Sequence, residues 1–200
     1  MINLEKQKER FKNHVAKLTD YGNIKILDFK APNTGEYRIR FLFEEDYYRL
    51  HISGDLGELT ASNYSNMTYE EFSDFVDDVG YFEGKIDCMS RDIYFYDDDK
   101  AREDLLELIS ECGLQYELTK DKVDCESDKD IIDEYIDDVL IYFDGNRGID
   151  SHGYDKLSKY IDDVWELIGD IGKKETGILD LYMLAFKLAK QNLLESEVEG

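Results

Sequence analysis

Apolar residues recur first at helical spacing and then at every second position, so the chain opens with a helix followed by strands. Leu4, Phe11, Val15 and Leu18 fall on one face of a helix predicted over residues 4–18. Apolar and polar residues then alternate in four runs, over residues 24–29, 37–43, 47–53 and 58–62. The pattern predicts an antiparallel meander of three to five strands, with the first helix covering its apolar face.

Most of the remaining pattern is helical. Thr68 and Glu71 have the spacing of a capping box, and Gly80 is expected to end the helix that they begin. Short strands are expected over residues 91–96 and 114–118. Helices are predicted over residues 100–112, 130–143, 154–168 and 176–194.

The resulting fold class is α+β: an N-terminal helix with an antiparallel β-meander of three to five strands, followed by a helical bundle. A charged linker near residues 119–128 would divide residues 1–118, an α+β domain, from residues 119–200, a helical region. One continuous domain is equally compatible with this length.

Charge is the strongest functional signal in the chain. The 200 residues include 47 acidic and 24 basic side chains, a net charge of -23. Residues 1–50 carry a net charge of +2 and residues 51–200 a net charge of -25. With 42% hydrophobic residues the chain can bury a core, which excludes a disordered acidic tail. Nucleic acid and anionic membranes would repel such a protein, so the expected partner is a basic protein.

Cysteine usage and hydropathy give the expected compartment. Cys88, Cys112 and Cys125 are odd in number and lack metal-ligand spacing, which indicates reduced thiols and no metal or cofactor. No segment approaches the ~20 apolar residues of a membrane span, and the N-terminus lacks an apolar signal region. A soluble cytoplasmic protein is therefore expected.

One short motif occurs three times. Residues 75–79, 135–139 and 160–164 each read aromatic, aliphatic, Asp, Asp, Val. On a helix the aromatic residue and the valine face inward and the aspartates face water. These pairs and neighbouring acids are the predicted partner-binding residues: Asp77, Asp78, Asp97, Asp98, Asp99, Glu103, Asp104, Glu134, Asp137, Asp138, Asp162, Asp163 and Glu166. The alternative is that amphipathic helices simply carry acidic solvent faces.

Two further sites are weaker candidates. His51, Asp55 and Glu58 surround a glycine-rich turn, where a histidine base and carboxylates would suit hydrolysis, although no nucleophile or oxyanion donor accompanies them. Residues 144–150 contain aspartates like those of a calcium loop, but no register supplies all the EF-hand positions, which favours an ordinary turn between helices.

The run from Tyr48 to Leu59, YRLHISGDLGEL, resembles a strand, Gly-Asp-Leu-Gly, strand element of small phage and mobile-element proteins. The acidic, aromatic-rich helices are similar in style to anti-CRISPR and anti-restriction inhibitors. That resemblance implies a phage-encoded inhibitor, acting in the host cytoplasm, that mimics nucleic acid and blocks the basic groove of a host defence protein such as an RNA-guided nuclease. The alternatives are a metal- or His-dependent nuclease acting on host guide RNA, and a non-catalytic acidic interaction protein.

Overall fold

The computed structural model describes residues 2–120 and 127–198, without the side chains of residues 197 and 198. Its helices are α1 (Leu4–Phe11), α2 (Val79–Glu83), α3 (Asp98–Glu111), α4 (Leu114–Thr119), α5 (Asp128–Leu140), α6 (Ser151–Leu157) and α7 (Ile178–Val198). Its strands are β1 (Val15–Asp20), β2 (Ile24–Lys30), β3 (Ile39–Glu44), β4 (Arg49–Gly54), β5 (Leu59–Ser62), β6 (Ile86–Met89), β7 (Tyr94–Tyr96), β8 (Phe143–Asp144), β9 (Gly148–Ile149) and β10 (Lys173–Glu175). Short 3₁₀ helices span Glu71–Phe75 and Val164–Glu166.

The chain is α+β as predicted, and it forms two compact units. The sheet unit comprises Met1–Ile93 and Gly177–Gly200, and the helical unit comprises Tyr94–Thr176. The predicted boundary near residues 119–128 falls within the helical unit, and residues 121–126 of that linker lie outside the described residues. Here α3 and α4 pack with α5, while α7 packs on the strands at the start of the chain. The C-terminal helix thus belongs with the N-terminal sheet.

The sheet unit is built on an antiparallel meander of six strands in the order β1 to β6. Alternation along each strand separates the two faces: Ile39, Phe41 and Phe43 of β3 are buried, whereas Arg40 is exposed. In the register Phe41 lies between Leu27 and Ile52, so one row of apolar side chains crosses the sheet. The side chains on the opposite face of β3 are polar or half-buried.

Most of the cover on the apolar face comes from α7, whereas the sequence pattern assigned that role to the first helix. The rings of Phe41 and Phe186 are 5.4 Å apart, and Phe186 meets Phe72 edge to face at 4.8 Å. From α1 only Phe11 is buried. The helix with the most apolar residues lies farthest in sequence from the strands that it covers.

The first helix ends at Phe11, so the prediction of a helix to Leu18 was wrong. Residues 15–20 instead form β1, all of which pairs with β2 through six residue pairs from Val15↔Lys30 to Asp20↔Lys25. Leu18 lies opposite Leu27 in this register, so an apolar residue that also suits a helical stripe joins the sheet core. Together with β6, this strand raises the meander from the expected three to five strands to six.

Three other predicted elements differ in the structure. Residues 114–118, predicted as a strand, belong to α4, because Gly113 in a left-handed conformation (φ 65°) ends α3 and turns the chain into a new helix. Residues 154–168 were predicted as one helix, but α6 ends at Leu157. The helix expected from Thr68 to Gly80 is replaced by the 3₁₀ turn and α2, which contains Gly80.

The helical unit has its own core, formed by α3, α4, α5 and α6. Ala101 and Leu105 of α3 and Ile136 and Val139 of α5 are fully buried there. Two small sheets, β7 with β10 and β8 with β9, complete the unit. No helix in the described part of the chain is both long and apolar enough to cross a membrane.

Candidate interaction surface

Negative charge is concentrated in the helical unit. Its 83 residues include 25 acidic and 10 basic side chains, a net charge of -15, whereas the sheet unit carries 22 acidic and 14 basic side chains, a net charge of -8. Pairing every basic side chain of the helical unit would still leave 15 carboxylates without a cationic partner from that unit. The excess charge must therefore face solvent or a partner molecule.

One row of carboxylates follows α3. Its buried face consists of Ala101, Leu105, Leu108 and Ile109, which fixes the opposite face toward solvent. On that exposed face acids recur at every fourth position, a spacing that places side chains about 6 Å apart along a helix. They are Asp99, Glu103, Glu107 and Glu111. This row is displayed by a helix whose orientation the core determines.

The start of α3 is fixed by Asp97. Its carboxylate accepts hydrogen bonds from Lys174 Nζ at 2.7 Å and from the backbone N–H of Lys100 at 2.9 Å. These bonds, the one from Lys174 first, lower the pKa of Asp97. Asp104 pairs with Lys100 and also accepts the backbone N–H of Gly172 at 2.8 Å. Asp97 and Asp104 therefore hold the helical unit together rather than facing a partner freely.

A second acidic surface lies on α5, which packs beside α3. Ser127 caps this helix by accepting the backbone N–H of Asp130, and Ile132, Ile136 and Val139 form the buried face. Exposed acids on the other side are Asp130, Glu134, Asp137 and Asp138. Arg102 of α3 pairs with Asp137, and Lys156 of α6 pairs with Asp138. These ion pairs join helices of the unit to each other.

Acids also occupy helix ends where they are unfavourable. A helix carries partial negative charge at its C-terminus, which favours basic side chains in the last turn. Neither α3 nor α5 has a basic residue there; instead Glu111 ends α3 and Asp137 and Asp138 lie in the last turn of α5. Departures from a local stability rule are expected where a surface serves a function.

The three copies of the Asp-Asp motif do not share a helical setting, so that part of the prediction was wrong. Only the second copy, with Asp137 and Asp138, lies on a helix. The first copy lies in the sheet unit, where Lys187 Nζ is 2.6 Å from Asp77 and Asp78 caps α2 by accepting the backbone N–H of Tyr81 at 2.9 Å. It therefore makes no common surface within the helical unit.

The third copy lies after α6 has ended. Asp163 has left-handed backbone angles (φ 54°, ψ 25°), a conformation that Asp adopts more readily than most residues. Its carboxylate accepts a hydrogen bond from Trp165 Nε1 at 3.4 Å. Ile161 and Val164 are still buried, while Asp162 and Glu166 are exposed. Of the predicted inward pair, Val164 is buried but Tyr160 is 44% exposed, and a turn rather than a helix holds them.

Two carboxylates of the α3 surface were missed by the motif. Glu107 and Glu111 line a cavity of about 280 Å³ together with Asp104 and Asp170. Glu107 lies four residues after Glu103, and Glu111 lies four residues after Glu107. This spacing is the sequence signal that would have identified them.

The residues of the catalytic alternative have separate partners. His51 Nε2 lies 3.1 Å from Glu44 Oε2, and its Nδ1 lies 3.2 Å from Thr60 Oγ1. Asp55 pairs with Arg38 at 3.6 Å, and Glu58 donates its backbone N–H to Ser90 Oγ at 2.8 Å. The structure therefore surrounds His51 with Glu44 and Thr60 on the polar face of the sheet, and gives Asp55 and Glu58 other contacts.

The loop over residues 144–150 is the turn of the β8–β9 hairpin. Asp144 accepts the backbone N–H of Asn146 at 2.9 Å. Asp150 caps α6; partial burial raises its pKa, but hydrogen bonds from the N–H groups of Gly153 and His152 outweigh that effect and lower the pKa overall. Within residues 2–120 and 127–198 no group of three or more metal-ligating side chains is placed to hold an ion.

Cys88 and Cys112 are free thiols with exposed side chains, and Cys125 lies outside the described residues.

No family model matches this chain, and neither a curated protein nor a solved structure is significantly similar to it.

Proposed function

We propose that this chain is a non-catalytic acidic protein that binds the basic, nucleic-acid-binding surface of another protein and excludes nucleic acid from it. The observation that carries the proposal is the net charge of -15 on the helical unit, of which the packed helices α3 and α5 carry -4 and -5. A surface of one sign attracts a partner of the opposite sign, accelerates their encounter and repels nucleic acid. A groove built to hold phosphates is a natural target for rows of carboxylates.

The internal ion pairs are compatible with this role. Arg102 and Lys156 pair with Asp137 and Asp138, all on partly or fully exposed side chains. Exposed ion pairs contribute little stability, so a partner's basic side chains can replace them at small cost. Asp99, Glu103, Glu107 and Glu111 on α3 form no ion pair within the described residues, and they are the first acids that we expect a partner to contact.

A competition assay tests the proposal. Purified basic nucleic-acid-binding proteins, beginning with the RNA-guided nucleases and restriction enzymes that the resemblance implies, are loaded with labelled DNA or RNA, and the chain is added at increasing concentration. We expect stoichiometric displacement of intact nucleic acid that weakens steeply as salt rises. Degradation of the RNA when the chain is present at substoichiometric concentration would instead support the nuclease alternative. If no member of the panel releases its nucleic acid, the proposal fails.

Matched variants locate the surface. Glu103→Lys with Glu107→Lys changes the net charge by +4 on α3, and Glu36→Lys with Asp74→Lys makes the same change on exposed side chains of the sheet unit. We expect the α3 pair to weaken competition at least tenfold, which corresponds to about 1.4 kcal/mol, and the control pair to weaken it far less. Equal losses in both variants would mean that total charge, and not this surface, is responsible.

A further inference from the structure

A groove beside α5 is lined by both apolar and acidic side chains. The groove has a volume of about 500 Å³, and Leu118 of α4 and Tyr160 flank it. Ile131 and Tyr135 of α5 also line it, together with Ile141, the residue that follows the helix. Ile131 belongs to the buried face of α5. Ile141 is 72% exposed and Tyr160 is 44% exposed. Two large apolar side chains are thus left open to solvent in the most charged part of the molecule.

Tyr135 is held in place within the groove by its contacts. Tyr135 Oη donates a hydrogen bond to the carbonyl oxygen of Lys156 at 3.1 Å, and its ring meets that of Tyr160 edge to face at 5.7 Å. Burial first, and then the neighbouring Tyr160 and Asp138, raise the pKa of Tyr135 to about 12. The hydroxyl therefore stays protonated and keeps this contact across the physiological pH range. A fixed apolar surface loses little entropy when another surface packs on it.

Carboxylates border the same groove. Glu134, Asp137 and Asp138 line it together with the apolar residues, so the groove presents acidic and apolar side chains side by side. An amphipathic helix with basic side chains on its flanks and apolar anchors at helical spacing matches both features. A nucleic acid would not suit the groove, because the three carboxylates repel its phosphates.

We propose that this groove of α5, lined by Leu118, Ile131, Tyr135, Ile141 and Tyr160 and bordered by three carboxylates, docks a basic amphipathic helix of the partner protein. The inference rests on the proposed function and adds the element through which the partner is recognised. Charge gives fast, salt-dependent encounter, and burial of Ile141 selects helices with apolar anchors. The rows on α3 are not required for this docking.

Two synthetic peptides test the groove by fluorescence anisotropy. One is an 18-residue Leu/Lys peptide with leucines at positions i, i+3, i+4 and i+7; the other has the same composition, ordered so that leucines surround the helix. We expect the amphipathic peptide to bind about tenfold more tightly than its isomer, and Ile141→Ser to remove that advantage. Leu194→Ser, at a 63% exposed position of α7, is the matched control and should leave both affinities unchanged.

Each other outcome is decisive. If the two peptides bind equally and Ile141→Ser has no effect, docking of a helix in the groove is refuted. The competition assay then still decides the proposed function. If neither peptide binds, the groove is refuted as well. If the chain alone dimerises and Ile141→Ser makes it monomeric in sedimentation experiments, the occupant is a second copy, and docking of a partner helix is overturned. Circular dichroism checks that each serine variant keeps the helix content of the parent.

Discussion

A buried tyrosine couples the stability of the sheet unit to alkaline pH. Tyr182 of α7 has no exposed surface, and its hydroxyl donates a hydrogen bond to the carbonyl oxygen of Leu56 at 3.0 Å. Desolvation raises its pKa from 10.0 to about 12, against a small opposing effect of Arg91. Tyr182→Phe removes both the hydrogen bond and the titration while leaving the ring in the core.

The pH dependence has a definite sign. Because the folded-state pKa lies above the unfolded one, the protonated tyrosine contributes its full stability below pH 10, and the contribution is lost as pH rises toward 12. The loss amounts to about 1 kcal/mol at pH 11 and approaches about 3 kcal/mol above pH 12. At pH 8 the Phe variant should be less stable by about 1 kcal/mol, because the Leu56 carbonyl loses its partner.

The difference between the two proteins should therefore shrink from about 1 kcal/mol at pH 8 to near zero at pH 11. Urea unfolding followed by circular dichroism at both pH values measures it, and taking the difference cancels the titration of the other tyrosines and lysines. Tyr64→Phe, at a position that is 98% exposed, is the control and should show no difference at either pH. A difference for Tyr182→Phe that stays the same at pH 8 and pH 11 would refute the reasoning.

Two further predictions concern the helical unit. Glu111→Lys should stabilise it by about 0.5–1 kcal/mol and Asp98→Lys, the same charge change in the first turn of α3, should destabilise it, as read from urea unfolding; equal effects would contradict the dipole argument. Gly172→Ala should cost about 2 kcal/mol or more, since its φ is +77° and a Cβ would lie 2.8 Å from Ala101 Cβ and Phe143 Cε2, whereas Gly169→Ala, with nothing within 4 Å, should change thermal unfolding little.

Local alternation was enough to predict the central strands but not where the first helix ends. Apolar residues occupy every second position from Ile39 to Phe43, and the structure makes this run a strand with those side chains inward. Val15 and Leu18 suit a helical stripe, whereas in β1 they point to opposite faces and Val15 is exposed, so pairing with β2 overrides the helical pattern. That pairing is a contact between segments, which single-sequence periodicity does not contain.

The candidate surface was predictable in its charge and only partly in its geometry. Tyr135 to Val139 and Tyr160 to Val164 have identical sequences, yet one lies on α5 and the other in a turn around the left-handed Asp163. Spacing predicted that the aromatic residue and the valine face inward, and in the third copy Val164 is buried whereas Tyr160 is exposed. It does not show whether a helix or a turn buries them, so the extent of an acidic surface depends on tertiary packing.

The basic side chains of the helical unit explain how so much negative charge is compatible with a fold. Arg102 joins α3 to α5, Lys156 joins α6 to α5, and Lys174 joins β10 to the start of α3. Each of these three cations thus connects two elements, and other acids, such as the row from Asp99 to Glu111, stay on an outer face. Salt screens repulsion between those acids and equally screens their attraction to a basic partner. The same carboxylates that make the isolated unit less stable at low salt are therefore the ones that gain most from a bound basic surface.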